Sequence, residues 1–374
     1  MRIHILEPFF GESHKHWAKG YQHHSCHDVE IVALPGSYWK WRMMGGAVSM
    51  ARKYWEGFFS VPDLWLASDM LDLATFLGLM RKQAERVPVV AYFHENQLTY
   101  PWSPHDEDPL IGRDLHYAFI NYTTALAADM ICFNSQWHRD VFLDALPNFL
   151  RRFPDRRERG LLEGLHRKAK VLPLGMELKA LDTWRVARHG GAPVVLWNHR
   201  WEYDKGPEAF FQALFQLAEE GIAFRVVVLG EAFARTPAIF AKAREKLADR
   251  ILHWGFVSSR QEYVQWLWRA DLLPVTSQQD FFGISVLEAV WCGCRPLLPK
   301  RLAYVEHFPQ PEFEPLFYEN DEAFLPRLRQ LLQQWHIDTQ QHWPAKCRCA
   351  IAHYDWSVQA PAYDALWTTT YERK

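Results

Sequence analysis

The chain of 374 residues lacks several things, and each shortage removes a class of protein. Only six cysteines are present, and none stand as Cys-x-x-Cys. Cys292 and Cys294, like Cys347 and Cys349, are too close for an ordinary bridge, so neither a disulfide scaffold nor a zinc ribbon is expected. Charge of one sign is not in excess: 42 Lys plus Arg against 44 Asp plus Glu give a formal net charge of −2. That excludes a nucleic-acid-coating polycation but not a local basic face. Long apolar runs are missing; Leu73–Met80 falls well short of the roughly 20 residues that span a bilayer. The opening Met1–Pro8 is too short and polar for a secretory signal. These absences predict a cytoplasmic chain without stable membrane association. No Gly-x-Gly-x-x-Gly and no Gly-Lys-Ser/Thr occurs, which weakens dinucleotide-oxidoreductase and P-loop readings.

What is present is an ordinary globular mixture, 49% hydrophobic and 23% charged, with a heavy aromatic load of 18 Trp and 24 Phe. Short apolar runs at Arg2–Leu6, Val29–Leu34, Leu64–Ala67, Val87–Phe93, Met130–Phe133 and Val171–Leu174 read as buried strands. Helix-period segments lie between them, at Met70–Lys82, Asp114–Ala128 and Gln136–Leu146. After the break Gly190-Gly191-Ala192-Pro193 the alternation restarts, with strands at Val194–Asn198, Phe224–Leu229, Ile251–Gly255, Leu272–Thr276 and Pro296–Leu298. Helices are expected at 207–220, 237–248, 260–270 and 284–292. The pattern predicts two doubly wound α/β units in tandem, 1–175 and 176–345, with terminal helices in 346–374 packing back across the domains. Ligands of such sheets bind at the carboxyl ends of the strands, so a cleft between facing sheets is the expected site.

Two loops of the second unit carry the chemistry. One runs Asn198-His199-Arg200-Trp201-Glu202-Tyr203-Asp204-Lys205-Gly206-Pro207, placing Arg200 and Lys205 just before a helix that opens on proline. A guanidinium and an ammonium there suit a departing diphosphate; the plain alternative is a surface ion pair. The other loop runs Asp280-Phe281-Phe282-Gly283-Ile284 into a helix that carries Glu288. Gly283 brings backbone N–H groups and a helix dipole up to a phosphate. Asp280 suits sugar hydroxyls, and Glu288, two turns into the helix, suits a nucleotide ribose.

These loops resemble the family 4-like retaining glycosyltransferases of the GT-B fold, in which two Rossmann-like parallel-sheet domains face each other. Asp280 stands where that family usually has Glu, which shortens the reach but keeps the charge. Further motifs narrow the resemblance: Phe9-Phe10-Gly11-Glu12-Ser13-His14-Lys15, Trp39-Lys40-Trp41-Arg42, Tyr92-Phe93-His94-Glu95-Asn96-Gln97 and Phe133-Asn134-Ser135. Together they look like the tRNA-queuosine alpha-mannosyltransferase family, whose members move mannose from GDP-mannose to queuosine in a tRNA anticodon. Relatives tend to have Gly-Gly where this chain has Gly11-Glu12. The resemblance implies catalytic roles for His94, Arg200, Lys205 and Asp280. It implies donor contacts from Gly11, Arg200, Lys205, Phe282, Gly283, Ile284 and Glu288. It also implies GDP-mannose as co-substrate with no cofactor or metal, and queuosine-containing tRNA, tRNA-Asp, as partner.

For the acceptor, residues 151–170 hold eight basic side chains against three acids. Arg156 and Arg157 are the expected phosphate contacts, unless the stretch is only a solvated linker. Trp39, Trp41 and Arg42 suit a splayed base, or else belong to the core. Glu95 and Asn96 either bind acceptor hydroxyls or cap the following turn. His23, His24, Cys26 and His27 crowd one segment without companion ligands at a recognised spacing, so no metal is expected. Two other readings stay open: a related enzyme acting on a lipid or polysaccharide, through a basic amphipathic helix beginning near Met43, and a non-catalytic tRNA-binding protein.

Overall fold

The computed structural model describes residues 1–188, 190–232, 236–335 and 343–372. The side chain of Glu12, and with it the expectation about Gly11-Glu12, lies outside the described residues. The chain forms two compact units, one of Met1–Met176 with Tyr354–Lys374 and the other of Glu177–His353. Residues 346–353, expected among the terminal helices, therefore belong to the second unit.

In the first unit the strands are β1 (Arg2–Phe10), β2 (Asp28–Pro35), β3 (Leu64–Ser68), β4 (Val89–Phe93), β5 (Met130–Phe133) and β6 (Ala169–Val171). They pair in parallel in the order β2-β1-β3-β4-β5-β6. Both faces of the central strands are covered, which is why β3, β4 and β5 are buried throughout and almost wholly apolar rather than alternating. Helices α1 (Glu12–His24), α2 (Trp39–Trp55), α3 (Leu73–Leu79), α4 (Arg81–Ala84), α5 (His116–Ala127), α6 (Gln136–Arg151) and α7 (Leu162–Lys168) connect them. The single helix expected over 70–82 is broken, because the Asp72 carboxylate accepts the Thr75 N–H at 3.0 Å and restarts the helix there. In contrast, α6 runs on through Pro147 to Arg151, beyond its expected end. The helix expected from Met43 begins at Trp39, after Tyr38 in the left-handed region.

The second unit contains β7 (Val194–Trp197), β8 (Arg225–Val228), β9 (Ile251–Trp254), β10 (Leu272–Pro274), β11 (Arg295–Pro299) and β12 (Phe317–Tyr318), in the order β12-β11-β10-β7-β8-β9. Its helices are α8 (Pro207–Glu219), α9 (Ile239–Lys246), α10 (Arg260–Arg269), α11 (Ile284–Trp291), α12 (Tyr304–His307), α13 (Asp321–Gln333) and α14 (Trp343–Ile351). The last helix, α15 (Trp356–Glu372), returns to the first unit. There Trp356 lies over Gly20 and Gly175, where an added Cβ would come within 2.2 and 2.1 Å of the indole. Tyr21 donates to Asp364 at 2.8 Å and Trp17 to Tyr363 at 3.2 Å, fixing α15 against α1.

Each sheet has one point where the chain reverses its direction of growth: between β1 and β3 in the first unit, and between β7 and β10 in the second. Loops diverge there, and the crevice outside the strands' carboxyl ends is the binding position of open α/β sheets.

Candidate active site

The loop after β7 reaches the loop after β10. Gly206 makes this approach feasible: at φ 65° it takes the left-handed conformation, and a Cβ there would meet the Thr276 carbonyl oxygen at 2.3 Å. The Thr276 hydroxyl donates to the Lys205 carbonyl at 2.9 Å. Lys205, nearly buried, donates from Nζ to the Gln279 carbonyl at 2.7 Å and lies 3.2 Å from Asp204 and 3.6 Å from Asp280. Asp280 also accepts from Tyr304 Oη at 3.0 Å. Burial disfavours the charge on Asp280, but Lys205, His199 and the Tyr304 hydroxyl more than offset it, so its pKa falls and it stays ionised. Burial, reinforced by Lys205, holds His199 down at about 4 and therefore neutral, with Nδ1 3.3 Å from Ser285 Oγ.

Arg200 stands on the same loop, half-exposed, with Glu202 at 3.1 Å. Gly283, at φ 89°, is the N-cap of α11, whose first-turn N–H groups have no partner within the helix. Phe282 is buried and Ile284 half-buried beside it. Glu288 lies on the expected helix, but both its oxygens have protein partners: Arg260 on Oε1, and Tyr263 Oη on Oε2 at 3.1 Å. No spacing or motif marks Arg260, which sits on a different helix 28 residues away. Asp204, the second carboxylate on Lys205, lies in the same motif one residue before it, where an acid beside a lysine carries no distinctive signal.

In the first unit, Gly11 is the N-cap of α1 and lies at the end of β1. His94, after β4, is fixed through its backbone: its N–H donates to Asp69 Oδ1 at 2.7 Å and its carbonyl accepts from Asn134 Nδ2 at 2.8 Å. Asn134 thus explains the Phe133-Asn134-Ser135 motif, while Ser135 caps α6. The His94 ring is 8% exposed, with Nδ1 3.3 Å from Asp69. Asn96 Oδ1 accepts from the Leu98 and Thr99 N–H groups at 3.1 and 3.0 Å, the capping role the sequence had left open. Glu95 accepts from Gln97 Nε2 at 3.0 Å.

The proposed acceptor residues divide. Trp39 packs beside the buried cluster of Met43, Met70, Tyr117 and Ile120, so its ring is largely committed to the core. Trp41 is exposed, and Arg42 donates to the Pro35 carbonyl at 3.1 Å. Arg156 and Arg157 are exposed, and Arg157 donates to the Phe153 carbonyl at 3.0 Å. Cys26 and His27 do gain a neighbour, Asp364, whose carboxylate accepts from Tyr21, Ser25 and the Cys26 N–H and so ties α15 down.

Residues 2–176 match the family described as tRNA-queuosine alpha-mannosyltransferase N-terminal, and residues 181–343 match glycosyl transferases group 1. A tRNA-queuosine alpha-mannosyltransferase of Drosophila melanogaster is 34% identical over 319 residues, covering 82% of this chain and 81% of that one. A D-inositol 3-phosphate glycosyltransferase of Xylanimonas cellulosilytica is 36% identical over 108 residues, 27% of this chain and 24% of that one. Among solved structures, Anabaena HepE in complex with UDP aligns at TM-score 0.68 and 15% identity, over 99% of this chain and all (100%) of that one. Sucrose-phosphate synthase from Thermosynechococcus elongatus aligns at TM-score 0.71 and 15% identity, over 100% of both chains. Two Rossmann-like domains, the second of the group 1 type, define a glycosyltransferase of the GT-B fold. Within that class, the chain belongs to the tRNA-queuosine alpha-mannosyltransferase family.

Proposed function

We propose that this glycosyltransferase moves mannose from GDP-mannose to a hydroxyl of queuosine in tRNA, tRNA-Asp by family resemblance, with retention at the anomeric carbon. The observation that carries this reading is the Lys205–Asp280 pair at the switch point of a group 1 glycosyltransferase domain. The bond from the anomeric carbon to the diphosphate oxygen breaks, and the acceptor oxygen bonds to the same face of the sugar. The acceptor proton passes to the departing phosphate, so no protein nucleophile, cofactor or metal is required. Lys205, Arg200 and the first-turn N–H groups after Gly283 stabilise the charge that develops on the diphosphate. Ionised Asp280 accepts from sugar hydroxyls, and Glu288 accepts from the ribose with its remaining lone pairs. Gly11, Phe282 and Ile284 complete the donor contacts, and His94 touches the donor sugar. Trp41, Arg42, Glu95, Arg156 and Arg157 serve the tRNA.

A lipid or polysaccharide acceptor is the second reading, and the match of residues 2–176 to the tRNA-queuosine alpha-mannosyltransferase N-terminal family favours tRNA over it. The test is mass spectrometry of nucleosides from queuosine-containing tRNA incubated with the protein and GDP-mannose. Queuosine should gain one hexose, and Asp280→Asn should abolish the gain. A wild-type chain inactive with GDP-mannose and with UDP-sugars would refute the assignment of donor and acceptor.

A further inference from the structure

Four titratable side chains meet at the switch point of the first unit, although neighbouring residues in sequence supply none of the contacts between them. Glu7, fully buried on β1, accepts the Phe9 N–H on Oε1 at 2.9 Å and holds His14 Nδ1 on Oε2 at 2.7 Å. His14, in the first turn of α1, lies over the His94 ring with centroids 4.2 Å apart and planes 34° apart. Trp17 meets the His94 ring edge-on at 4.5 Å and Tyr92 lies at 4.9 Å. On the remaining side is Asp69, 3.3 Å from Nδ1. His94 Nε2 is buried and has no hydrogen-bond partner among the described residues.

Such a cluster of a carboxylate and two imidazoles invites a metal reading, since the ligand atoms of Glu7, His14 and His94 lie within 4.8 Å of one another. The geometry opposes it. The His94 ring lies over the His14 ring, tilted by 34°, rather than edge to edge with it around a common point, and Glu7 already occupies His14 Nδ1. Burial alone would lower the pKa of His14, but the charge and hydrogen bond of Glu7, with Asp69 and Glu95 beyond, raise it to about 9. His14 is therefore an imidazolium at neutral pH, in the first helical turn, where a cation opposes the macrodipole. A residue serving only to pack would be better neutral there. The pKa of His94 is driven the other way, by burial and then by the cation on His14, so its ring is neutral. With Nδ1 facing Asp69, the proton resides on Nδ1 and the lone pair on Nε2.

We propose that Glu7 and His14 are positioning residues for His94, fixing its ring so that Nε2 accepts a hydrogen bond from a hydroxyl of the donor sugar. This rests on the glycosyl-transfer reading above. The charged and titratable groups facing the pair are Glu7 on β1, Asp69 after β3, Glu95 beside His94, and His138 on α6, which is coupled electrostatically to His94.

The experiment compares the full chain with Glu7→Gln and His14→Gln in two readouts. Ring 15N spectra of histidine-labelled protein at neutral pH, assigned with the help of His94→Gln, should show a doubly protonated His14 and a single Nδ1–H tautomer at His94. In Glu7→Gln, His14 should become neutral and His94 should populate both tautomers. In mannosyl transfer, kcat should fall as pH rises through about 9 in the wild type. That limb should move down by about one pH unit or more in Glu7→Gln, with KM for tRNA unchanged. Unaltered His94 tautomers in both variants, or a transfer profile lowered evenly at every pH, would overturn the proposal. If the wild type transfers no sugar, the functional reading has failed, and the ring spectra still decide whether the pair sets His94. Should Glu7→Gln not fold, His14→Gln decides through the His94 tautomer.

Discussion

Lys205 stands between two carboxylates, with its ammonium 3.2 Å from Asp204 and 3.6 Å from Asp280. Removing it does two separable things. The transition state loses a fixed positive charge, and a buried Asp280 loses the partner that keeps it ionised. Lys205→Met is therefore expected to lower single-turnover transfer by about 10²- to 10³-fold. Urea unfolding should show a loss of about 3 kcal/mol, the scale for breaking a buried pair. Combining Lys205→Met with Asp280→Asn should recover part of the stability and none of the rate. A double variant that recovers rate would show that Lys205 acts only by holding Asp280. Both residues were legible in the sequence because each sits in a loop whose neighbours, Gly206-Pro207 and Gly283, announce a turn into a helix. Glu7, His14 and Asp69 were not. Their meeting depends on β1 lying beside β3, and sheet order leaves no mark on spacing.

Elements were readable where apolar runs were unbroken and less so where a side chain overrode the pattern. All the strands except β12, for which the sequence showed no signal, fall within a few residues of their expected places, since burial on both faces leaves little choice of residue. Asp72 cutting one helix in two, and Pro147 failing to cut another, are local hydrogen-bond outcomes that periodicity does not register. The same holds for the basic segment after α6. Of its eight cations, Lys168 donates to the Leu126 and Ala128 carbonyls at 2.8 and 2.6 Å, capping the end of α5, and is lost to any partner. Arg152 is bound to Asp114, and Arg167 to Glu163. Arg156 and Arg157, with Arg156 held at φ 47°, leave the segment's exposed face basic. Arg156→Ala with Arg157→Ala should weaken tRNA binding and reduce the slope of log affinity against log salt by about 1.4 to 1.8, at about 0.7 to 0.9 per phosphate contact. Donor hydrolysis in the absence of tRNA should be unchanged. An unaltered salt slope would remove this segment from the acceptor surface.

For the whole molecule, the buried histidines set opposite limits on stability. His4, His199 and His307 are pushed down to about 4, chiefly by burial, and His94 and His138 fall well below the ordinary value. Unfolding releases these imidazoles to titrate near 6.5, so the unfolded chain binds more protons than the native one below that pH. Stability should accordingly rise with pH from about 4 to about 6.5. Asp69, raised to about 6 mainly by burial, works against this trend as a single carboxyl among five imidazoles. His14 has the reverse sign: its pKa is raised to about 9, so the native chain holds the extra proton between 6.5 and 9. Its contribution is complete below 6.5 and is lost as pH rises through 9. The urea midpoint is therefore expected to peak near neutrality and to fall on both sides, each limb having a different cause. Glu7→Gln should flatten the alkaline limb and leave most of the acid limb in place, because burial, and not Glu7, sets His4, His138, His199 and His307. An alkaline limb that survives Glu7→Gln would mean that the charge on His14 is not what links stability to pH there.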